Sequence, residues 1–257
     1  GMKIIINHGF FYSDRGERKN DWPPSQFFQW DCWDRMTEGN AMVRRLHYAM
    51  TGGRTEADIL IYHPIESFWM NYLPEMNYTH GFMEGGFLKD EQAVRLDREM
   101  QLLMNGFLSE NLDFELLHKD ALENFRVQGD RICNIKTNQS FTVLVLPMCS
   151  VLPIEMAYLC QKFVKAGGKI VVLDQLPEYA MPADRDEVLR GIFKDLQQTG
   201  QLTILPVDHK ADIYRTVYGM IEHPVRIVNG CLRGVNHHPS FPEYLIDPYV
   251  HNGEDVS

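Results

Sequence analysis

Two short runs, Phe141-Thr142-Val143-Leu144-Val145-Leu146 and Lys169-Ile170-Val171-Val172-Leu173, are apolar almost without interruption. A run of this length, rich in β-branched residues and lacking polar alternation, is a strand that must be covered on both faces. Ala57-Asp58-Ile59-Leu60-Ile61-Tyr62 has the same texture, and shorter strands are expected at Asp113–Leu117, Leu202–Leu205 and Val225–Val228. Amphipathic helices are expected between them. One spans Asp90–Leu108, with Asp90 as N-cap and Val94, Leu96, Met100, Leu103, Met104 and Phe107 on one face. A second spans Pro153–Ala166, with proline at its start and Gly167-Gly168 at its end. A third covers Arg185–Gln198, where Asp184 and Glu187 stand at capping-box spacing, and a fourth His209–Glu222. Phe125–Lys136 has the pattern of a hairpin turning at Gly129-Asp130, and the aromatic stretch after His63-Pro64 (Phe68, Trp69, Tyr72, Tyr78, Phe82) that of a loop. Strands alternating with helices specify a parallel sheet with helices on both faces. The expected fold class is therefore α/β: a doubly wound, flavodoxin-like, mostly parallel sheet of about five strands.

This α/β texture covers residues 54–232. Residues 1–53 form a strand–loop–helix extension: a buried strand at Lys3–Asn7, a long loop from His8 to about Asp34, and a helix from Glu38 to Met50 that carries Met42, Val43 and Leu46 and stops at Gly52-Gly53. A loop that long is usually functional. Residues 233–257 have the composition of a polar linker or tail. With 44% hydrophobic and 23% charged residues, a core of ordinary size needs no disulfide or metal staple. The net charge of -10 argues against a nucleic-acid partner, since phosphate neutralisation needs clustered Lys and Arg. The apolar runs are strand-sized, so no membrane span is expected. Met2–Ile6 is too short for a secretory leader, and Gly1 ahead of Met2 suggests an expression remnant behind which an upstream leader or domain has been lost.

Ligands of doubly wound folds bind beyond the carboxyl ends of the strands, which here carry His63-Pro64, Pro147-Met148-Cys149 and Asp174-Gln175. None of these positions has a glycine-rich phosphate cradle, so no nucleotide cofactor is expected. Cys149 lies between a buried strand and a helix, where a nucleophile could stand and where a helix N-terminus lowers a thiol pKa. Its neighbours Pro147, Met148, Ser150 and Val151 lack the small residues that let such an elbow bend, which favours a structural thiol. The five cysteines are odd in number and widely spaced, and the histidines show no ligand spacing, so no metal is expected. His8, Tyr12, Asp14, Arg15, Arg18, Asp21, Trp22 and Gln26 crowd into the first loop. Rings beside acidic and guanidinium groups suit a sugar site, and they equally suit a loop packed on itself.

The segments His8–Ser13, Arg15-Gly16, Asp21–Phe27, Arg44–Met50 and Ala57–Pro64 resemble the C-terminal flank of the catalytic barrel in large bacterial glycoside hydrolases, above all the α-L-rhamnosidase-like proteins of glycoside hydrolase family 106. The resemblance is strongest over residues 5–64, and beyond them it rests on element order, Val143–Pro147 and Ala166–Val172. It implies that residues 1–53 are the last β/α unit of a barrel leading into an α/β domain. That domain is similar to the class I glutamine amidotransferase fold and to the trimerisation domain of family 42 β-galactosidases. His8, Tyr12, Arg15, Asp21 and Trp22 are then substrate-contacting, not acid or base. An amidotransferase cysteine would follow Lys169–Leu173, where this chain has Asp174-Gln175-Leu176. Barrel glycosidases draw their two carboxylates from several strands, and only one barrel-like strand is present. The resemblance thus implies a non-catalytic piece of a glycosidase, inactive alone. Its partners are a carbohydrate held through the parent enzyme, the parent's remaining domains and, by the trimerisation likeness, further copies of itself, and the parent is exported or periplasmic. Two alternatives are a stand-alone amidotransferase- or hydrolase-like enzyme using Cys149 and a carbohydrate-binding module using Trp22, Trp30, Trp33 and Trp69.

Overall fold

The computed structural model describes residues 11–13, 15–17, 27–53, 55, 57–71, 90–221, 225–228 and 231–234. The chain divides into two compact units, Gly1–Thr55 and Glu56–Ser257.

In the first unit a 3₁₀ turn, Trp33–Arg35, leads into α1, Met36–Met50, which starts two residues before the expected Glu38. The helix stops at Thr51, whose hydroxyl bonds the His47 carbonyl at 2.7 Å, with Gly52 in the left-handed region at φ 81°. Its apolar positions are exposed: Met42 by 58%, Val43 by 42% and Leu46 by 52%. The expected strand at Lys3–Asn7 lies outside the described residues.

The second unit runs β1 (Ile59–Tyr62), α2 (Ile65–Asn71), α3 (Glu91–Ser109), β2 (Phe114–Leu117), β3 (Phe125–Gln128), β4 (Arg131–Asn134), β5 (Gln139–Phe141), β6 (Val143–Pro147), β7 (Val151–Pro153), α4 (Ile154–Lys165), β8 (Lys169–Leu173), β9 (Tyr179–Met181), α5 (Asp186–Gln197), β10 (Leu202–Leu205), α6 (Lys210–Tyr218), β11 (Val225–Val228) and β12 (Cys231–Gly234). Five strands form one parallel sheet in the order β10-β8-β6-β1-β2. Ile59 stands beside Phe114 on one side and Val143 on the other, and Val143 beside Lys169. Alternate strand residues enter two separate cores, as a period of two requires. Ile59, Ile61, Val143, Val145, Val171 and Leu173 pack with Leu103 and Phe107 of α3 and Ile213 and Val217 of α6. Leu60, Tyr62, Leu144, Leu146, Ile170 and Val172 pack with α4, α5 and the β3–β5 meander through Phe163, Phe193 and Phe141. This accounts for the unbroken apolar runs: the central strands β1, β6 and β8 are covered on both sides, while the edge strands β2 and β10 expose Leu116 and Ile204. The structure is thus α/β, with a mostly parallel central sheet flanked by helices and the strand order of a flavodoxin-like fold.

Local signals hold where they are self-contained. The Asp90 carboxylate caps α3 by accepting the N–H groups of Gln92 and Ala93 at 2.9 and 3.0 Å. At the end of α4 the N–H of Gly168 reaches the Phe163 carbonyl and that of Gly167 the Val164 carbonyl, the paired bonds of a Schellman stop, with Gly167 at φ 97°. The hairpin turns at Gly129-Asp130 as expected.

Five expectations are corrected. Residues 65–71 are helix, not loop. The run from Phe141 to Leu146 is two strands: Thr142 donates its N–H to the Asp58 carbonyl, Phe141 closes the antiparallel meander, and Val143 opens the parallel β6. Val94 is 42% exposed, while Ala93 and Glu99 take buried places on α3. No capping box forms at α5: Asp184 sits in a 3₁₀ turn, Glu187 pairs with Arg190, and the Asp186 carboxylate accepts the Ala180 N–H at 2.6 Å. Finally, β11 pairs antiparallel with β12 and stays outside the parallel sheet. Among the described residues no helix is long and apolar enough to cross a membrane.

Candidate functional site

Of the loop residues expected to touch a sugar, His8, Asp21 and Trp22 lie outside the described residues. Tyr12 is 89% exposed, and Arg15 is exposed with its backbone N–H on the Ser13 hydroxyl at 3.2 Å. Nearby, Phe27 meets Phe28 and Trp33 edge to face, at ring-centroid distances of 4.9 and 5.4 Å. Of the other tryptophans, Trp30 is 42% and Trp69 53% exposed, with the Lys119 ammonium 5.8 Å from the Trp69 ring centroid.

Cys149 follows β6 but faces the core, in the cluster that holds Leu144, Leu146 and Cys160. It is fully buried, and its thiol donates to the Pro147 carbonyl at 3.5 Å. Burial, then the neighbouring Cys160 and Glu66, push its pKa far above the ordinary thiol range. No histidine among the described residues is hydrogen-bonded to it. An activated nucleophile needs the reverse: access, and a positive neighbour or a base. Burial raises the Cys160 thiol in the same way, whereas Cys32 is exposed. Iodoacetamide should therefore label Cys32 in the native protein, with Cys149 and Cys160 reacting roughly 100-fold or more slowly, at the rate of unfolding. Peptide mass spectrometry after timed quenching reads this, and Cys149 reacting as fast as Cys32 would show an open, activated thiol.

The sheet's strand order reverses between β1 and β6, and the crevice beyond that point is where α/β sheets place ligands. Two non-glycine residues that end neighbouring strands there are left-handed: Met148 at φ 48° and Asp174 at φ 66°. Each is fixed by backbone bonds, Met148 N–H to the Leu173 carbonyl and Asp174 N–H to the Leu205 carbonyl. The Asp174 carboxylate does two things at once: Oδ1 accepts the Val207 N–H at 2.7 Å, and Oδ2 accepts from the Arg95 guanidinium of α3 at 2.8 Å. On the other side α2 is tied down by Ser67, whose hydroxyl accepts the Val151 N–H at 3.0 Å and donates to the Val151 carbonyl at 3.1 Å. Between these walls lies a cleft of about 540 Å³, lined chiefly by Gln92, Arg95, Ser150, Asp174, Gln175 and Tyr179.

A smaller hollow of about 220 Å³ lies beside it, lined by His63, Pro64, Ile65, Phe68, Leu96, Asp97 and Met100. Burial, then the His118 ring 6.2 Å away, lower the His63 pKa, so the imidazole is neutral near pH 7. Below it the Tyr62 hydroxyl donates to Glu66 Oε2 at 2.8 Å within the core. Among the described residues, Glu66 Oε1 and His63 Nδ1 are buried without a hydrogen-bond partner, and no group of three or more His, Cys, Asp or Glu could hold a metal ion. A third hollow of about 810 Å³ opens between the meander and α4, where Lys119, Arg126 and Lys162 alternate with Asp120, Glu123 and Glu155.

Sequence reasoning located Asp174, Gln175 and Met148 at strand ends but missed Ser67, Gln92 and Arg95. The signal for α2 was present, because Pro64 followed by Glu66 in the first turn is a helix start. Nothing local marks Arg95, a solvent-side residue of an amphipathic helix. The chain matches no family model and no curated protein.

Proposed function

We propose that this chain is a non-catalytic part of a carbohydrate-active glycoside hydrolase. Its second unit is a doubly wound, flavodoxin-like scaffold, and its first unit lends an edge to a sugar pocket that other domains of the parent complete. The observation that carries this reading is the apolar stripe of α1. Met42, Val43 and Leu46 are spaced to face a core yet stand 58, 42 and 52% exposed among the described residues, a stripe that a barrel of the parent enzyme would cover. The family resemblance over residues 5–64 gives that cover its identity, a catalytic barrel. The doubly wound reading draws on α3 and α6 packing against one face of the sheet and α4 and α5 against the other. An inert Cys149 fits a scaffold and leaves the thiol-hydrolase alternative without a nucleophile.

The test is enzymatic. Alone, the chain should leave aryl rhamnosides and galactosides unhydrolysed. Within the parent enzyme, Tyr12→Ala and Arg15→Ala should raise KM about tenfold with little change in kcat, since residues that bind without reacting act on both ground and transition states. Turnover by the isolated chain, abolished by Cys149→Ser, would overturn the reading.

A further inference from the structure

The cleft beyond β6 and β8 has a chemistry of its own. Its polar groups are largely unspent: the side chains of Gln92, Ser150, Gln175, Glu178 and Tyr179 make no hydrogen bond among the described residues, although all five line one hollow. The two amides and two hydroxyls each donate and accept. Among the described residues Arg95 is the one cation of the cleft lining, and its charge is met by Asp174 at 2.8 Å, so it offers N–H donors without net attraction for an anion. With Glu178 the lining is net negative, which disfavours phosphates and carboxylates. Apolar patches interrupt the polar ones, from Tyr179, 42% exposed, Met70, 56% exposed, and Met148. The left-handed backbone at Met148 and Asp174 is strain of the kind that gathers at binding sites, here beyond the carboxyl ends of β6 and β8.

We propose that this cleft binds a neutral polyhydroxylated small molecule of mono- or disaccharide size. Such a ligand presents hydroxyls that both donate and accept, and C–H faces that lie on a ring or a thioether. The 540 Å³ hollow falls within the range of small-molecule sites. The inference rests on the lining of the second unit and is independent of the parentage proposed above: that lining uses neither Tyr12 nor Arg15 and needs no barrel.

Saturation-transfer NMR on the full chain, with calorimetry for affinity, tests it using rhamnose, galactose and lactose against glucuronate, glucosamine and inorganic phosphate. The neutral sugars should receive saturation and bind at millimolar concentration, with the charged probes at least about fivefold weaker. Gln175→Trp, which fills the cleft, should reduce binding at least about tenfold, while Lys162→Ala, in the hollow beside the meander, leaves it unchanged. Should the filled variant not fold, Gln92→Ala with Ser150→Ala removes hydrogen-bonding groups of the cleft from exposed and half-buried positions and should weaken binding severalfold. No transfer to any neutral sugar, undiminished binding in the cleft variants, or preference for glucosamine or phosphate would overturn the proposal. These results leave the glycosidase reading to its own assay.

Discussion

Replacing Phe107 by alanine should lower the stability of the second unit by about 4 kcal/mol, the cost typical of deleting a fully buried aromatic ring. Phe107 is wholly buried on α3, with its ring centroid 6.1 Å from that of Phe114 on β2 and 5.5 Å from that of Tyr214 on α6. It therefore joins the sheet to both helices on that face. The void cannot close by drawing the helices together, because they are already in close approach. Gly106, the neighbouring residue, has no room for a side chain, and a Cβ there would lie 1.7 Å from the Tyr214 hydroxyl. Phe107→Leu keeps most of the volume and should cost about 1–1.5 kcal/mol. Urea unfolding followed by circular dichroism measures both, with a melting-temperature drop of roughly 10 °C for the alanine variant. A loss under about 1 kcal/mol would mean that α3 is loosely held. The same helix carries Gln92 and Arg95 to the cleft, so its packing also sets the geometry of that wall.

Glu99→Ala should be the second costly change, at about 3 kcal/mol near neutral pH. Glu99 is only 4% exposed, yet it is charged. Its Oε2 accepts from the Lys210 ammonium of α6 at 2.8 Å, and its Oε1 from two nitrogens of Arg98 at 2.9 and 3.1 Å. Burial by itself would raise the carboxyl pKa, but the hydrogen bonds of Lys210 and then Arg98 outweigh it and hold the group below the ordinary glutamate range. A carboxyl whose folded pKa lies below its unfolded value stabilises the fold above the unfolded pKa and loses that contribution as pH falls through the folded one. The difference between wild type and Glu99→Ala should therefore be greatest at neutral pH and shrink as the pH drops below about 4. Lys210 is the more sheltered partner, its side chain 23% exposed, while that of Arg98 is 65% exposed. Arg98→Ala should accordingly cost less than about 1 kcal/mol. A Glu99→Ala penalty that stays constant from pH 7 to pH 3 would show that the ion pair contributes nothing.

Much of this protein's local structure is legible in its sequence. The apolar runs Ile59–Tyr62, Val143–Leu146 and Ile170–Leu173 announce a sheet covered on both sides, since burying both faces of a strand leaves no place for polar residues. Asp90 and Gly167-Gly168 mark helix ends because capping is settled by the residues that take part in it. Where neighbouring signals compete, the reading fails. Thr142 is a good strand residue by composition, yet its N–H goes to Asp58, a residue distant in the chain, and this bond splits the strand. Asp184 and Glu187 have capping-box spacing, but Asp184 sits in the 3₁₀ turn ahead of the helix and Glu187 pairs with Arg190.

What sequence alone determined is the central strands of the sheet and the long helices between them, because these are set by residues within a turn or two of each other. The order β10-β8-β6-β1-β2 was decided only by the tertiary structure, as was the burial of Cys149 in the core instead of the crevice. So was the meeting of Arg95 with Asp174, 79 residues apart. The physical reason is common to all three. Each depends on which strand lies beside which, and that choice minimises exposed apolar surface over the whole sheet, a sum to which no single segment holds the answer.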